Sequence, residues 1–81
     1  MDETVADYVA RAKKGDKEAF GRLYNLFLEK IYRFVYYLIS DEDLAYDITQ
    51  DAFVRAWRAL PRFDRERGSF STFLYAIARN L

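Results

Sequence analysis

Between residues 16 and 39, apolar side chains recur at steps of three and four for more than five helical turns. This spacing places them on one face of a helix, and Asp16 is suited to cap its N-terminus. Such a long amphipathic helix must bury its stripe against other elements. The predicted core stripe consists of Phe20, Leu23, Tyr24, Phe27, Ile31, Phe34, Val35 and Leu38.

Three further segments have helical patterns. Val5, Tyr8, Val9 and Ala12 share one face of a short first helix, which Gly15 is expected to end. Ser40 with Asp43 fits a capping-box variant at the start of the third helix. The sequence therefore predicts an all-α fold, a compact bundle in one domain spanning 1–81, with helices at about 3–14, 16–39, 41–60 and 69–81.

The composition argues against catalysis and metal binding. The chain has no cysteine and no histidine, so the usual nucleophile, general base and metal ligands are missing. The acidic trio at 41–43 fits helix capping better than calcium binding. We therefore expect no enzyme activity, no cofactor and no metal. No apolar run reaches the roughly 18 residues of a membrane span, so a cytoplasmic protein without a membrane partner is expected.

Charge is distributed unevenly although the net charge is zero. Residues 1–54 carry 7 basic and 11 acidic side chains, whereas residues 55–81 carry 6 basic and 2 acidic. Such asymmetry suggests two kinds of partner.

The basic part contains a short loop at 61–68, between Pro61 and Gly68. Arginines interleaved with aromatic residues are suited to single-stranded nucleic acid, because arginines meet phosphates and rings stack on bases. Phe63, Phe70, Tyr75 and Trp57 are expected to wall one cavity for an unstacked base. The cation and hydrogen-bond donors are Arg62, Arg65, Arg67, Ser69, Ser71, Thr72, Arg79 and Asn80. The alternative is a solvated loop in which Pro61 ends one helix and Gly68 precedes the next.

The third helix has two distinct faces. Its core side is predicted to contain Ala45, Ile48, Ala52, Ala56, Ala59 and Leu60. Its opposite side contains Asp47, Gln50, Asp51, Val54 and Arg58, with Phe53 and Trp57 at the boundary. This opposite side is either a docking face for a partner protein or a solvated face with an Asp51–Arg55 ion pair.

The motifs resemble region 2 of a bacterial sigma factor of the sigma-70 family, most closely the extracytoplasmic-function group (ECF, group IV). They include D-x-x-Q-D/E, F-x-x-A-W, a P-x-F-D loop, G-x-F and a terminal A-R-N. The resemblance covers nearly the whole chain and runs most clearly through DLAYDITQDAFVRAWRALPRFDRERGSFSTFLYAIARNL. Relatives often have tryptophan at the position of Phe73, or a more basic residue at that of Ser71.

The resemblance implies a transcription initiation factor domain that docks on RNA polymerase and recognises the promoter −10 element. It implies that the β′ clamp helices bind Asp47, Gln50, Asp51, Val54 and Arg58. It also implies that the domain promotes melting by capturing a flipped base of the non-template strand. The implied DNA-binding residues are Arg62, Phe63, Asp64, Arg65, Ser69, Phe70, Ser71, Thr72, Tyr75, Arg79 and Asn80.

Further expectations concern partners and the end of the chain. Anti-sigma proteins commonly cover these surfaces in the family, and the family's region 4 for the −35 element is absent from this chain. Because the sequence offers no cap after the last helix, we expect that helix to continue past Leu81 in a parent protein. If the captured base lies between the 61–68 loop and the last helix, Phe63 and Asn80 should face a shared cavity. The alternative function is a helical protein–protein interaction module that does not bind DNA.

Overall fold

The computed structural model describes residues 4–81, which form four α-helices and no strand. The helices are α1 (Val5–Lys13), α2 (Lys17–Ile39), α3 (Glu42–Ala59) and α4 (Phe70–Arg79). Two single 3₁₀ turns, Leu60–Arg62 and Arg65–Arg67, connect α3 to α4. The predicted all-α bundle is confirmed, and the predicted start of the first helix at residue 3 lies outside the described residues.

Side-chain hydrogen bonds cap the N-termini of α1 and α2. Thr4 and Asp7 form a reciprocal capping box at α1, and the hydrogen bonds from Thr4 lower the pKa of Asp7. Asp16 caps α2 as predicted, because its carboxylate accepts from the Ala19 N–H at 3.1 Å. The second oxygen accepts from Arg11 Nε at 2.9 Å, and these contacts lower the pKa of Asp16.

The junction of α2 and α3 differs from the prediction. Ser40 ends α2 in a left-handed conformation with φ 54°, and its N–H donates to the Tyr36 carbonyl at 2.7 Å. The N-cap of α3 is Asp41, whose carboxylate accepts from the Leu44 N–H at 3.1 Å. The predicted Ser40–Asp43 capping box is therefore wrong, because Ser40 closes the preceding helix.

The core lies along α2, where Leu23, Phe27, Ile31 and Val35 are buried. Leu38 was predicted to join them, but it is 57% exposed, and its neighbour Ile39 packs against the core instead. The core face therefore reaches the C-terminus of α2 through Ile39 and not through Leu38.

Small residues let α3 approach its neighbours closely. Ala45, Ala52 and Ala56 are fully buried, as the period predicted. Thr49 is also fully buried, and its hydroxyl donates to the Ala45 carbonyl at 2.7 Å, which satisfies the polar group inside the helix.

None of the helices described over residues 4–81 is long and apolar enough to span a membrane. The same residues hold no cluster of three carboxylates or other ligating side chains suited to a metal ion.

Candidate nucleic-acid interface

The 61–68 loop is ordered by its own hydrogen bonds. The Phe63 N–H donates to the Leu60 carbonyl at 3.0 Å and closes the first 3₁₀ turn. The Arg67 N–H donates to the Asp64 carbonyl at 3.0 Å, and the Asp64 carboxylate accepts from the Glu66 N–H at 2.9 Å. The loop therefore has far fewer accessible shapes than an open connection of the same length.

Gly68 turns the chain from the loop into α4. Its φ of 153° lies in a region that side-chain-bearing residues rarely adopt, although a Cβ there would meet Thr72 only at an ordinary 3.9 Å. Ser69 follows as the N-cap and accepts from the Thr72 N–H at 3.1 Å. The Ser69 and Thr72 hydroxyls lie 3.0 Å apart, so both are ordered at the start of the helix.

Phe63 anchors the loop to the bundle. Its side chain is 7% exposed, and its ring centroid lies 4.9 Å from that of Phe73 and 6.1 Å from that of Phe70. Phe70 in turn packs edge-on against Phe27 at 5.5 Å. Aromatic neighbours thus cover most of the Phe63 ring, and only a small edge of the ring is exposed to a ligand.

The expected cavity walled by four aromatic residues does not form. Trp57 packs against Phe20 at 5.0 Å, on the surface between α2 and α3. Tyr75 packs edge-on against Phe34, also at 5.0 Å. Both rings are half-buried and find aromatic partners on α2, where tilted and edge-on ring contacts are favourable.

Two adjacent clefts lie along α4 instead. The first, called the loop cleft, has a volume of about 390 Å³ and separates the loop from α4. It is lined by Arg62, Phe63, Asp64, Arg67, Gly68, Ser69, Thr72, Phe73 and Ala76. The second, called the helix cleft, has a volume of about 370 Å³ and is lined by Phe34, Ser71, Thr72, Tyr75, Ala76 and Arg79. Thr72 and Ala76 border both clefts, so together they form one continuous surface.

Phe63 and Asn80 lie at opposite ends of α4. Phe63 contacts the first turn of the helix, whereas Asn80 follows its last residue and its N–H donates to the Ile77 carbonyl at 3.2 Å. The expectation that both residues face one cavity is therefore wrong. A cleft large enough for a base does separate the loop from α4, and the exposed Asn80 lies next to Arg79 of the helix cleft.

A third cleft, of about 640 Å³, separates the loop from α1, where it is lined by Val5, Val9 and Lys13. Four predicted site residues border it, namely Phe63, Arg65, Ser69 and Phe70, and of these Arg65 and Phe70 line neither of the other two clefts. Lys13 also donates from Nζ to the Phe63 carbonyl at 2.6 Å. The sequence analysis did not find this contact, because no local pattern signals a bond between residues 50 positions apart.

The loop carries three arginines against two carboxylates, Asp64 and Glu66. Arg62, Arg65 and Arg67 are exposed, and none of them is paired with a carboxylate within residues 4–81. Unpaired arginines beside a cleft attract polyanions and have no intramolecular partner to lose when they bind.

The predicted docking face of α3 is exposed to solvent. Asp47, Asp51 and Arg58 are exposed, and Val54 is 46% exposed in the middle of the face. Asp51 pairs with Arg55 Nε at 3.3 Å, as predicted. A pair this exposed contributes little to stability, so both charges remain available to a partner.

Gln50 joins this face to an apolar groove. Its amide donates to the Tyr24 hydroxyl at 2.6 Å. A groove of about 340 Å³ beside it is lined by Lys17, Phe20, Tyr24, Gln50, Phe53, Val54 and Trp57. Phe53, predicted at the boundary, is instead buried and packs edge-on against Tyr24 at 4.8 Å.

Residues 23–81 match the family model described as Sigma-70 region 2, which is more than half of the chain. The chain belongs to this family. The matched region contains α3, the loop, α4 and every residue that lines the loop cleft and the helix cleft, whereas α1 with Lys13 precedes it.

Curated relatives agree with the assignment. The chain is similar to the ECF RNA polymerase sigma factor BldN of Streptomyces coelicolor, with 39% identity over 95% of this chain and 29% of that protein. It is 38% identical to SigW of Bacillus subtilis over 100% of this chain and 43% of that protein. It is also 38% identical to the sigma-E factor of Escherichia coli K12, over 99% and 42%. The chain thus spans less than half of these relatives.

A solved structure is also similar to this one. It is an NMR structure of an engineered region 2 of sigmaE in complex with GTAAAA. The TM-score is 0.87 at 40% identity, over 99% of this chain and 84% of the other. The similarity therefore extends over the full bundle, including the loop and α4.

Proposed function

We propose that this sigma region 2 chain acts in transcription initiation by docking on RNA polymerase and recognising the promoter −10 element. It would promote melting by capturing a flipped base of the non-template strand. The observation that carries the proposal is the likeness, over nearly all of the chain, to a sigmaE region 2 that was solved in complex with GTAAAA. The cytoplasm, where transcription occurs, is the expected location.

The loop cleft and the helix cleft are the proposed path of the strand. Arg62 would contact phosphates in the loop cleft, and the N-terminus of α4 at Ser69, Phe70 and Ser71 would offer further N–H and hydroxyl donors. Arg65, which lines the third cleft on the other side of the loop, would contact phosphates from that side. The hydroxyl of Thr72 borders both clefts, so it can contact the backbone of the strand between them.

The base itself would be held mainly by polar contacts and by ring edges. Asp64 and the edge of Phe63 line the loop cleft, while Tyr75 and Arg79 line the helix cleft beside Asn80. The Asn80 amide can both donate and accept, as reading a base edge requires. Extruding a base costs a few kcal/mol, which stacking and hydrogen bonds of about 1–3 kcal/mol each can offset.

The exposed side of α3 is the proposed polymerase contact. Asp47, Gln50, Asp51, Val54 and Arg58 would bind the β′ clamp helices, combining charge with one central apolar residue. The face is supported by its exposure and by the fully buried alanines behind it, which hold α3 rigidly. An anti-sigma protein that covers either surface is a further proposed partner.

Fluorescence anisotropy with labelled single strands tests the DNA-binding proposal. The strands are GTAAAA, a set carrying one base change at each position, and a shuffled strand of the same composition. We expect affinities that differ several-fold with sequence and that fall as salt is raised. Binding that is equal for all strands, or absent at low salt, would overturn the proposal and favour a protein-interaction module.

A further inference from the structure

A single side chain of α1 is bonded to the backbone of the loop. Lys13 donates from Nζ to the Phe63 carbonyl at 2.6 Å, and its ammonium nitrogen lies 6.0 Å from the centroid of the Phe63 ring. Hydrogen bonds with a charged donor are stronger than neutral ones. The bond therefore adds a polar link to the packing between α1 and the loop.

The bonded carbonyl lies at the point where the two halves of the loop meet. The first 3₁₀ turn closes at the Phe63 N–H, and the second begins with the Asp64 carbonyl. Between those bonds the backbone is extended, with φ −66° and ψ 131° at Phe63 and φ −122° and ψ 109° at Asp64. The relative orientation of the two turns thus depends on what holds Phe63.

That orientation shapes the loop cleft. Arg62 belongs to the first turn and Arg67 to the second, and both line the cleft. A rotation at Phe63 or Asp64 would change the spacing of these two cations without disturbing either turn. The packing of the Phe63 ring and the Lys13 hydrogen bond both restrain the chain at this point.

We propose that Lys13 is a positioning residue, which holds the Phe63 carbonyl and so keeps the two turns of the loop in the orientation that receives a single strand. The inference rests on the proposed function, because it concerns the shape of the same strand-binding cleft. Lys13 acts through the loop and need not touch the strand. Preorganisation of this kind raises affinity by reducing the ordering cost of binding.

Contacts of α1 with the core and with α2 hold Lys13 in place beside the loop. Val9 and Ala12 of the same helix are buried in the core, and the Arg11 pair with Asp16 ties the end of α1 to the start of α2. Lys13 itself is exposed apart from its loop contact, so its replacement should leave the core intact.

The decisive comparison is Lys13→Met against Lys14→Met. Both remove one exposed cation from the same helix end, but only the first removes the hydrogen bond to the loop. Amide hydrogen exchange in the free chain would be measured at Phe63 and Arg67, whose N–H groups close the two turns. Anisotropy would give affinities for the strand set described above over a range of salt concentrations.

We expect Lys13→Met to raise exchange at both amides and to lower affinity for the preferred strand, each by about fivefold. Its salt dependence should equal that of Lys14→Met, because both lose one charge. Lys14→Met should leave exchange at the two amides unchanged.

Two results would overturn the inference. If Lys13→Met and Lys14→Met behave alike in exchange and affinity, Lys13 does not position the loop. If Lys13→Met weakens all strands equally, with unchanged exchange and a smaller salt slope than Lys14→Met, Lys13 is a phosphate contact.

If the unsubstituted chain does not discriminate between strands, the proposed function fails, and the exchange result alone decides whether Lys13 orders the loop.

Discussion

The Gln50 amide and the Tyr24 hydroxyl are joined by a hydrogen bond of 2.6 Å that crosses from α3 to α2. The bond fixes the direction of an amide on the proposed polymerase-binding face. Gln50 is half-buried whereas its neighbours on that face, Asp47 and Asp51, are exposed. The amide is therefore the most constrained polar group of the face.

The first prediction concerns Tyr24→Phe. Removing the hydroxyl frees the Gln50 amide while the Tyr24 ring keeps its packing against Phe53. Affinity for core RNA polymerase should fall about two- to tenfold, the range expected for one hydrogen bond. Biolayer interferometry with immobilised polymerase would measure it. Tyr37→Phe is the control, because Tyr37 is 86% exposed. Equal affinity for both variants would contradict a role for the Tyr24 hydroxyl.

The second prediction concerns the docking face as a whole. Asp47→Ala combined with Gln50→Ala should abolish polymerase binding, while the circular dichroism spectrum and melting temperature stay close to those of the unsubstituted chain. Asn25→Ala with Glu29→Ala removes the same two chemical groups from the exposed part of α2 and should bind normally. A pull-down in which the first pair still retains polymerase would remove the docking proposal.

The third prediction concerns base reading by Asn80. Asn80→Ala should weaken binding to the preferred single strand by about 1–3 kcal/mol and make the chain less selective between bases. The loss should be concentrated at one strand position, because an amide reads one base edge. Anisotropy over the single-change strand set would locate that position, with Asn25→Ala as the control. Unaltered affinity and selectivity would mean that Asn80 is only the cap of α4.

The fourth prediction separates phosphate contact from base reading. Arg65→Ala should lower affinity for every strand by a similar factor and reduce the slope of log affinity against log salt by about 1. Arg22→Ala removes an exposed cation from α2 and should change neither quantity strongly. A sequence-dependent loss for Arg65→Ala would assign that residue to base recognition instead.

Local patterns predicted the helices well, because helix formation depends on nearby residues. The cap at Asp16 was predicted because its side chain bonds an N–H only three residues away. The exception at Ser40 has the same origin, since Ser40 and Asp41 both carry a suitable oxygen. The structure assigns the first to the end of α2 and the second to the start of α3.

Contacts between distant parts of the chain were not predictable in this way. The sequence indicated aromatic residues near the loop, but not that Trp57 and Tyr75 would pair with Phe20 and Phe34 of α2. The Lys13–Phe63 bond likewise depends on how α1 packs, which no periodicity reveals. The candidate site residues were thus named from local patterns and from the family resemblance, whereas their division among three clefts depends on packing that those patterns do not show.

The direct passage from α3 into the first 3₁₀ turn fixes the orientation of the loop relative to α3. Leu60 follows the last residue of α3, is fully buried, and leaves no slack between the helix and the turn that carries Arg62. A partner protein that binds α3 would therefore also fix the orientation of the loop arginines. The angle at which DNA meets the domain would be set by where the helix is held.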